Sequence, residues 1–442
     1  MTEEPGGVPH KAASARTAQD VGATPRHDRR FFKVVARTGV FNMAASLVAA
    51  VGGLIVARVL GPSVRGDYAA VMSAFGLTQV FFEVGLSVSI VYFVSRQPAA
   101  RESIIRSTTQ MLAVLAALGA LAMLGMTRTD ILGHGERPTG AVIMAVAVLF
   151  SFLAAPFVFS LQATNLLWWS RLRFMQPAVS VAIVAGLAFA GRLTLVSALL
   201  AVTLSIAAQT GLAWWLSRRA RNGQVAQEAG PTKRVLLRFG AVNVLAYAPG
   251  SFNVGVDQLY LAAVVPSRDL GLYAVAVTLS ALGAPALAAF GNVAFPKIAS
   301  HDDPRRTALS AIQGTLVLSV LAVGAVIVGS HFLLVPVFGE GYAGAFPLLL
   351  VLAPGSVFLM LNGVLGDILR GYGRSGIVAV AQWCGLVVTV TGLLVTVPRW
   401  GAMGAAATST GAYGIVTVVL LLLARRAMRS APARAMAGED RS

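Results

Sequence analysis

The chain has 442 residues, 56% of them hydrophobic and only 12% charged, with a formal net charge of +17. That charged share is about half the usual one, too small to cover the roughly two or three soluble domains that the length would otherwise suggest, so lipid is the expected solvent. The basic residues fall in short clusters between apolar runs, which marks membrane topology rather than a nucleic-acid surface. The single cysteine, Cys384, rules out an intrachain disulfide, and the scattered histidines offer no metal-ligand spacing.

Residues 1–34 are basic and rich in Pro, Gly and Ala, and are expected to form a disordered cytoplasmic tail. The apolar run behind them exceeds a signal-peptide core, so the first helix is expected to remain as an anchor. About 20 apolar residues cross the hydrocarbon core as a helix. By that measure the spans are 37–57, 69–94, 105–126, 141–163, 175–191, 195–217, 239–265, 271–296, 308–335, 344–366, 376–397 and 402–424. The expected fold is an all-α integral membrane protein of twelve transmembrane helices, with no connection long enough to house a soluble catalytic domain.

Orientation follows from charge. With the N-terminus inside, 28 of the 35 lysines and arginines fall on the cytoplasmic side, and each inside loop carries at least two. Arg171 and Arg173 are read as one such loop. Both termini are therefore expected to be cytoplasmic. Trp168–Trp169 and Trp214–Trp215 precede basic residues, as interfacial aromatics do.

The chain also repeats itself. Arg37-Thr38-Gly39-Val40-Phe41-Asn42 returns 201 residues later as Arg238-Phe239-Gly240-Ala241-Val242-Asn243, each at the start of a long apolar run. A second echo pairs PSVRGDYA (62–69) with PSRDLGLYA (266–274), placing Gly66 and Tyr68 205 residues before Gly271 and Tyr273. Six is even, so both halves enter from the same side as a parallel repeat. The expected division is an N-lobe over 35–217, an inter-lobe loop over 218–237, a C-lobe over 238–424 and a basic tail over 425–442. Two such six-helix pseudo-symmetric lobes enclose a central cavity suited to alternating access.

Charge within the spans is rare. Glu83 lies about 22 Å along the second span at 1.5 Å per residue. A charge near mid-membrane costs roughly 2.5–3.5 kcal/mol on insertion scales, so it should face a cavity or a partner. It reads either as a proton- or cation-linked carboxylate or sugar-hydroxyl acceptor, or as a paired carboxyl joining two helices. Asp257 lies in the seventh span, with Arg58 as a candidate ion-pair partner. Arg37 and Arg238 are snorkelling anchors or cavity-mouth cations, and Asn42 and Asn243 are interhelical glue or cavity lining. Prolines 156, 177, 249, 285 and 354 fall within spans.

Three lures fail. Gly371–Gly376 fits G-x-G-x-x-G, but no strand precedes it and no acidic residue follows at the required distance. Asp302-Asp303-Pro304 is explained by a helix N-cap with proline at the first position. No Gly-Lys-Ser/Thr occurs, which excludes nucleotide hydrolysis by this chain.

ARVLGPSVRGDYA (57–69), FFEVGLSVSIVYFVSR (81–96), VDQLYLAAV (256–264), LGLYAVA (270–276), AFPKIAS (294–300), FGEGYAGAFPLL (338–349), GYGRSG (371–376) and PRWGAMGAAAT (398–408) occur in an order and spacing that resembles the polysaccharide and O-antigen (Wzx-type) flippases of the multidrug/oligosaccharidyl-lipid/polysaccharide (MOP) flippase superfamily. The resemblance covers residues 35–424. It implies a non-enzymatic flippase in the inner (cytoplasmic) membrane that moves polyprenyl-diphosphate-linked oligosaccharide to the outer leaflet for surface polysaccharide biosynthesis. Its partners would be membrane lipid, that glycan substrate and polysaccharide assembly proteins, with no nucleic acid. It would carry no cofactor or metal, and transport would couple to a H+ or Na+ gradient. On this reading Arg37, Arg238, Asn42, Asn243 and Arg58 line the cavity and meet the diphosphate, and Glu83 and Asp257 are its coupling-ion or cavity carboxylates. A cation-coupled multidrug-type antiporter of the same superfamily is the alternative, although many of those carry an acidic residue in the first helix and residues 38–57 hold none. Lipid II flippases are similar too, but typically have fourteen spans and arginines within the first. A membrane glycosyltransferase or polymerase would need a larger outside loop than 127–140.

Reporters fused near residues 100, 228, 302, 372 and the C-terminus should report cytoplasm, and those near 64, 133 and 268 the outside. An outside report at 228 would exclude the six-plus-six arrangement.

Overall fold

The computed structural model describes residues 25–219, 229–283, 304–372 and 374–439. Among the described residues the chain is all-helical. The helices are α1 (Pro25–Glu83), α2 (Leu86–Arg96), α3 (Arg101–Met126), α4 (Arg137–Thr164), α5 (Leu166–Phe189), α6 (Leu195–Arg219), α7 (Lys233–Val264), α8 (Ser267–Ser280), α9 (Pro304–Phe338), α10 (Ala345–Gly371) and α11 (Ser375–Glu439), with 3-10 turns at Pro98–Ala100 and Glu340–Tyr342. Among the described residues, nine apolar stretches are long enough to cross a membrane. Large apolar side chains such as Phe81, Leu121, Phe189 and Phe332 are exposed on them. In water such a surface would drive aggregation. It is the lipid face of a multi-pass membrane protein.

Two of the nine stretches, Thr38–Glu83 with 46 residues and Gly376–Met428 with 53, exceed twice the length of one crossing. Each contains a break. Gly61, at φ 75 and ψ 172, occupies a backbone region open only to glycine, and Pro62 restarts the helix behind it. Gly401, at φ 54 and ψ −136, does the same in α11. These breaks fall in the gaps expected at 58–68 and 398–401. The described part of the expected span 271–296 is α8, and the rest, with Pro285, Asp302 and Asp303, lies outside the described residues. Gly371–Gly376 joins α10 to α11, with Gly373 outside the described residues.

Two boundaries are corrected. The expected span 69–94 is not continuous, because Val84 (φ 49) and Gly85 (φ 65) are both left-handed and split it into the end of α1 and α2. A β-branched residue rarely adopts that conformation. The fifth span begins at Leu166, not 175, so Arg171 and Arg173 lie within a helix rather than in a loop. They are accommodated because each guanidinium sits over a tryptophan ring one turn earlier, Arg171 over Trp168 at 4.7 Å and Arg173 over Trp169 at 4.9 Å. The same arrangement recurs in α6, with Arg218 over Trp214 and Arg219 over Trp215.

In the first half of the chain α4 is central, packing on α1, α2, α3, α5 and α6, and in the second half α10 packs on α8, α9 and α11. The halves meet where the echoed segments face each other. A Cβ on Gly66 would lie 1.7 Å from Ser267 O, and one on Gly271 would lie 1.9 Å from Pro62 O, so each glycine admits the other segment's backbone. Beside them Arg137, only 3% exposed, forms a polar clasp. Its Nε donates to Asp67 Oδ1 at 2.7 Å, Nη1 to Ile131 O at 2.9 Å and Ala262 O at 2.7 Å, and Nη2 to Ser267 Oγ at 3.0 Å. Ser267 Oγ in turn donates to Asp67 Oδ1 at 2.7 Å. Close by, buried Tyr342 donates to Ala57 O at 2.9 Å. Burial pushes this phenol up to about 12 although Arg65 opposes the shift, so it remains a neutral donor at working pH.

A second approach lies at the helix break. A Cβ on Gly85 would meet Gly240 O at 2.4 Å, and one on Gly240 would meet Val84 O at 2.6 Å. Ser89 Oγ donates to Leu236 O at 2.8 Å, and Tyr92 stacks on Phe239 with centroids 4.4 Å apart.

Gly66→Ala should lower the melting temperature in detergent by the equivalent of about 1–3 kcal/mol, the usual cost of overpacking. Gly211→Ala, in open space within α6, should leave it unchanged or slightly raised.

Candidate substrate cavity

Gln79 and Glu83 stand one turn apart at the end of α1, on a common face. That face meets α4, α5 and α6 around a chamber of about 280 Å3 whose polar lining is Gln79, Glu83, Ser151, Trp169, Arg173, Gln176 and Gln209. Gln79 Nε2 donates to Ser151 Oγ at 2.7 Å, which leaves Gln79 Oε1 buried without a partner. Gln209 Nε2 is spent on Leu172 O at 2.9 Å. Glu83 Oε1 and Trp169 Nε1 are likewise buried with no hydrogen-bond partner. Each such atom costs about 1–3 kcal/mol unless something filling the chamber satisfies it.

Arg173 also borders two further chambers. One, of about 410 Å3, lies between α1 and α5 and includes Asn42, Ser46, Gln176 and Ser180. The other, of about 630 Å3, lies between α2, α4, α5 and α7 and includes Tyr92, Phe239, Asn243 and Tyr247. Neither has an acidic residue in its lining. Arg173 thus stands where the three spaces adjoin, with Glu83 on the wall of only the smallest. Asn42 and Asn243, from the two echoed motifs, reach different chambers of this one system.

Asp257 is different. It is 2% exposed and fully satisfied, accepting at Oδ2 from Tyr273 Oη at 2.5 Å and Ser409 Oγ at 3.2 Å and at Oδ1 from Gln258 N–H at 2.7 Å. Asn253, one turn earlier, accepts from the Thr389 hydroxyl, and its carbonyl accepts from Tyr413 Oη at 3.1 Å. This cluster ties α7 to α8 and α11. The expected Asp257–Arg58 pair is not formed, because Asp257 points into that cluster while Arg58 is exposed and lies against Gly339. Arg238 is exposed on α7 and lines none of the three chambers, and the Arg37 side chain lies outside the described residues. Arg173 is the residue that reasoning from sequence missed. The available signal was its spacing behind Trp169, which lets one helix carry both. Among the described residues, no group of three metal-ligating side chains occurs.

Apolar helices thus enclose a polar, cation-lined cavity. An inward-facing multidrug resistance MATE family transporter of the MOP superfamily matches with a TM-score of 0.72 at 14% identity, covering 88% of this chain and 95% of that one. The lipid II flippase MurJ in an inward closed conformation matches with a TM-score of 0.72 at 13% identity, covering 88% and 89%. A MOP superfamily transporter from Pyrococcus furiosus matches with a TM-score of 0.63 at 14% identity, covering 90% and 96%. Curated protein sequences give no match. The family model described as polysaccharide biosynthesis protein matches residues 32–302, and the chain belongs to that family.

The two carboxylates should separate by stability. Tyr273→Phe strips a hydrogen bond from buried Asp257 and should destabilise by about 1–3 kcal/mol. Glu83→Gln should change the melting temperature less, since Oε1 has no protein partner and an amide oxygen can still accept from Ser87.

Proposed function

We propose that the chain is a transporter, not an enzyme, that moves polyprenyl-diphosphate-linked oligosaccharide from the inner to the outer leaflet of the cytoplasmic membrane by alternating access. It does so with twelve crossings in two six-helix lobes and with both termini cytoplasmic. The observation that carries this reading is Arg173, a cation facing two acid-free chambers inside a bundle of the polysaccharide biosynthesis family. Guanidinium is permanently charged and contacts phosphate oxygens in a fork, so it suits a lipid diphosphate. Arg37 and Arg238, at the starts of the first and seventh spans, collect the headgroup at the cytoplasmic face and hand it to Arg173. A H+ or Na+ gradient supplies the driving force through Glu83, while Asp257 holds the second lobe together. Membrane lipid and polysaccharide assembly proteins are its partners. The fold shared with a lipid II flippase supports a lipid-linked substrate. The Glu83 Oε1, which has no hydrogen-bond partner and would also suit a small cation, favours a cation-coupled small-molecule antiporter as the second reading.

In proteoliposomes, a fluorescent polyprenyl-diphosphate-linked oligosaccharide should become accessible from the opposite leaflet faster with the protein than without it. Arg173→Ala should slow this by about tenfold or more, the loss of a charge-assisted hydrogen bond. Movement of a cationic dye with none of the glycolipid would replace this reading with the antiporter.

A further inference from the structure

The smallest chamber differs in chemistry from its neighbours. It offers a carboxylate oxygen and an amide oxygen as free acceptors and an indole N–H as a free donor, all buried. Gln176 and Gln209 add amides, and Phe152 and Phe159 add apolar walls. A diphosphate would be repelled by Glu83, and an acyl chain would leave the three polar atoms unsatisfied. A small cation would answer Glu83 but neither the indole N–H nor the tryptophan face. A pyranose answers all of them, because its hydroxyls both donate and accept and its ring faces are apolar. Size agrees. At about 30 Å3 per liquid water, a chamber of about 280 Å3 holds about nine waters, closer to one sugar residue than to a chain.

We propose that the chamber between α1, α4, α5 and α6 is a monosaccharide subsite that reads the sugar joined to the diphosphate. Glu83 and Gln79 accept from its hydroxyls, Trp169 Nε1 donates to a ring or hydroxyl oxygen, and Arg173 holds the adjoining phosphate at the chamber's edge. The inference rests on the flippase reading and deepens it. Charge is sorted along the substrate, with the acidic wall on the neutral sugar and the cation on the diphosphate. The lipid-linked glycan can therefore bind in only one direction, and the first sugar becomes a determinant of specificity while later sugars occupy the larger chambers.

The test is equilibrium binding of two probes to the full-length protein in nanodiscs, bare polyprenyl diphosphate and the same lipid carrying one sugar. A panel of hexoses and N-acetylhexosamines supplies the sugars. Wild type should bind at least one glycosylated probe about tenfold or more tightly than the bare lipid, as two or three satisfied hydrogen bonds require. Glu83→Gln alters a carboxyl whose Oε1 has no hydrogen-bond partner, and Trp169→Phe removes the unpartnered indole N–H together with part of the ring that carries Arg173. Glu83→Gln should shrink the preference toward unity with affinity for the bare lipid unchanged, Trp169→Phe should shrink it while also weakening the bare lipid, and Arg173→Ala should weaken both probes alike. Equal binding of bare and glycosylated lipid by wild type would overturn the sugar subsite while leaving the flippase reading intact. A preference that survives in both Trp169→Phe and Glu83→Gln would place the sugar elsewhere and also overturn it. Failure of both probes to bind at all would overturn both readings.

Discussion

The buried guanidinium of Arg137 bonds at once to Asp67 and Ile131 from the first half of the chain and to Ala262 and Ser267 from the second. The placement of the chambers follows from that contact. Removing an arginine and an aspartate from water is costly, and the attraction between them offsets the cost only where the remaining donors and acceptors are also matched. Here four bonds leave the guanidinium, and Asp67 takes a further one from Ser267. Loss of either charged partner would strand the other, at about 3–5 kcal/mol. The clasp fixes the start of α4 against the junction of α7 and α8. From that start α4 runs down to carry Ser151, Phe152 and Phe159 into the chamber walls, and α8 carries Tyr273 to Asp257.

The two intramembrane carboxylates show how one chemical group serves opposite ends. Asp257 has every acceptor position it needs filled by neighbours on α7, α8 and α11, so its contribution is to cohesion. Glu83 stands beside a strained residue, Val84, at the end of a broken helix, and its Oε1 is buried without a hydrogen-bond partner. Strain and unmet hydrogen bonding coincide at this end of α1.

Much of this was legible in the sequence. Apolar runs located the helices, because hydropathy reports the solvent a segment prefers. The echoed PSVRGDYA and PSRDLGLYA proved to be a contact, because glycine recurs where backbones must touch, and these two segments touch each other. The break at Val84–Gly85 was not legible, since an apolar run looks the same whatever its dihedral angles. Arg173 was hidden because a basic residue near a span's edge reads as an anchor, and only the side-by-side packing of α1, α5 and α6 shows that it faces inward. The Asp257–Arg58 pairing failed for a related reason. Opposite charges suggest a partner, but Tyr273 and Ser409 hydroxyls already satisfied the carboxylate.

Two of the contacts between the halves sit toward opposite ends of the segment that begins at Pro62, with Ser73–Gln258 and Phe81–Phe252 between them. Asp67 and Tyr92 lie on the two helical pieces either side of the Val84–Gly85 break. One end is sealed by an ion pair and carbonyls, the other by the Tyr92–Phe239 stack and glycine backbones. Parting the first end uncovers groups that water hydrates readily. Parting the second uncovers aromatic rings that water does not wet and acyl chains do. The molecule therefore has one hydrophilic seam and one oily seam between its halves.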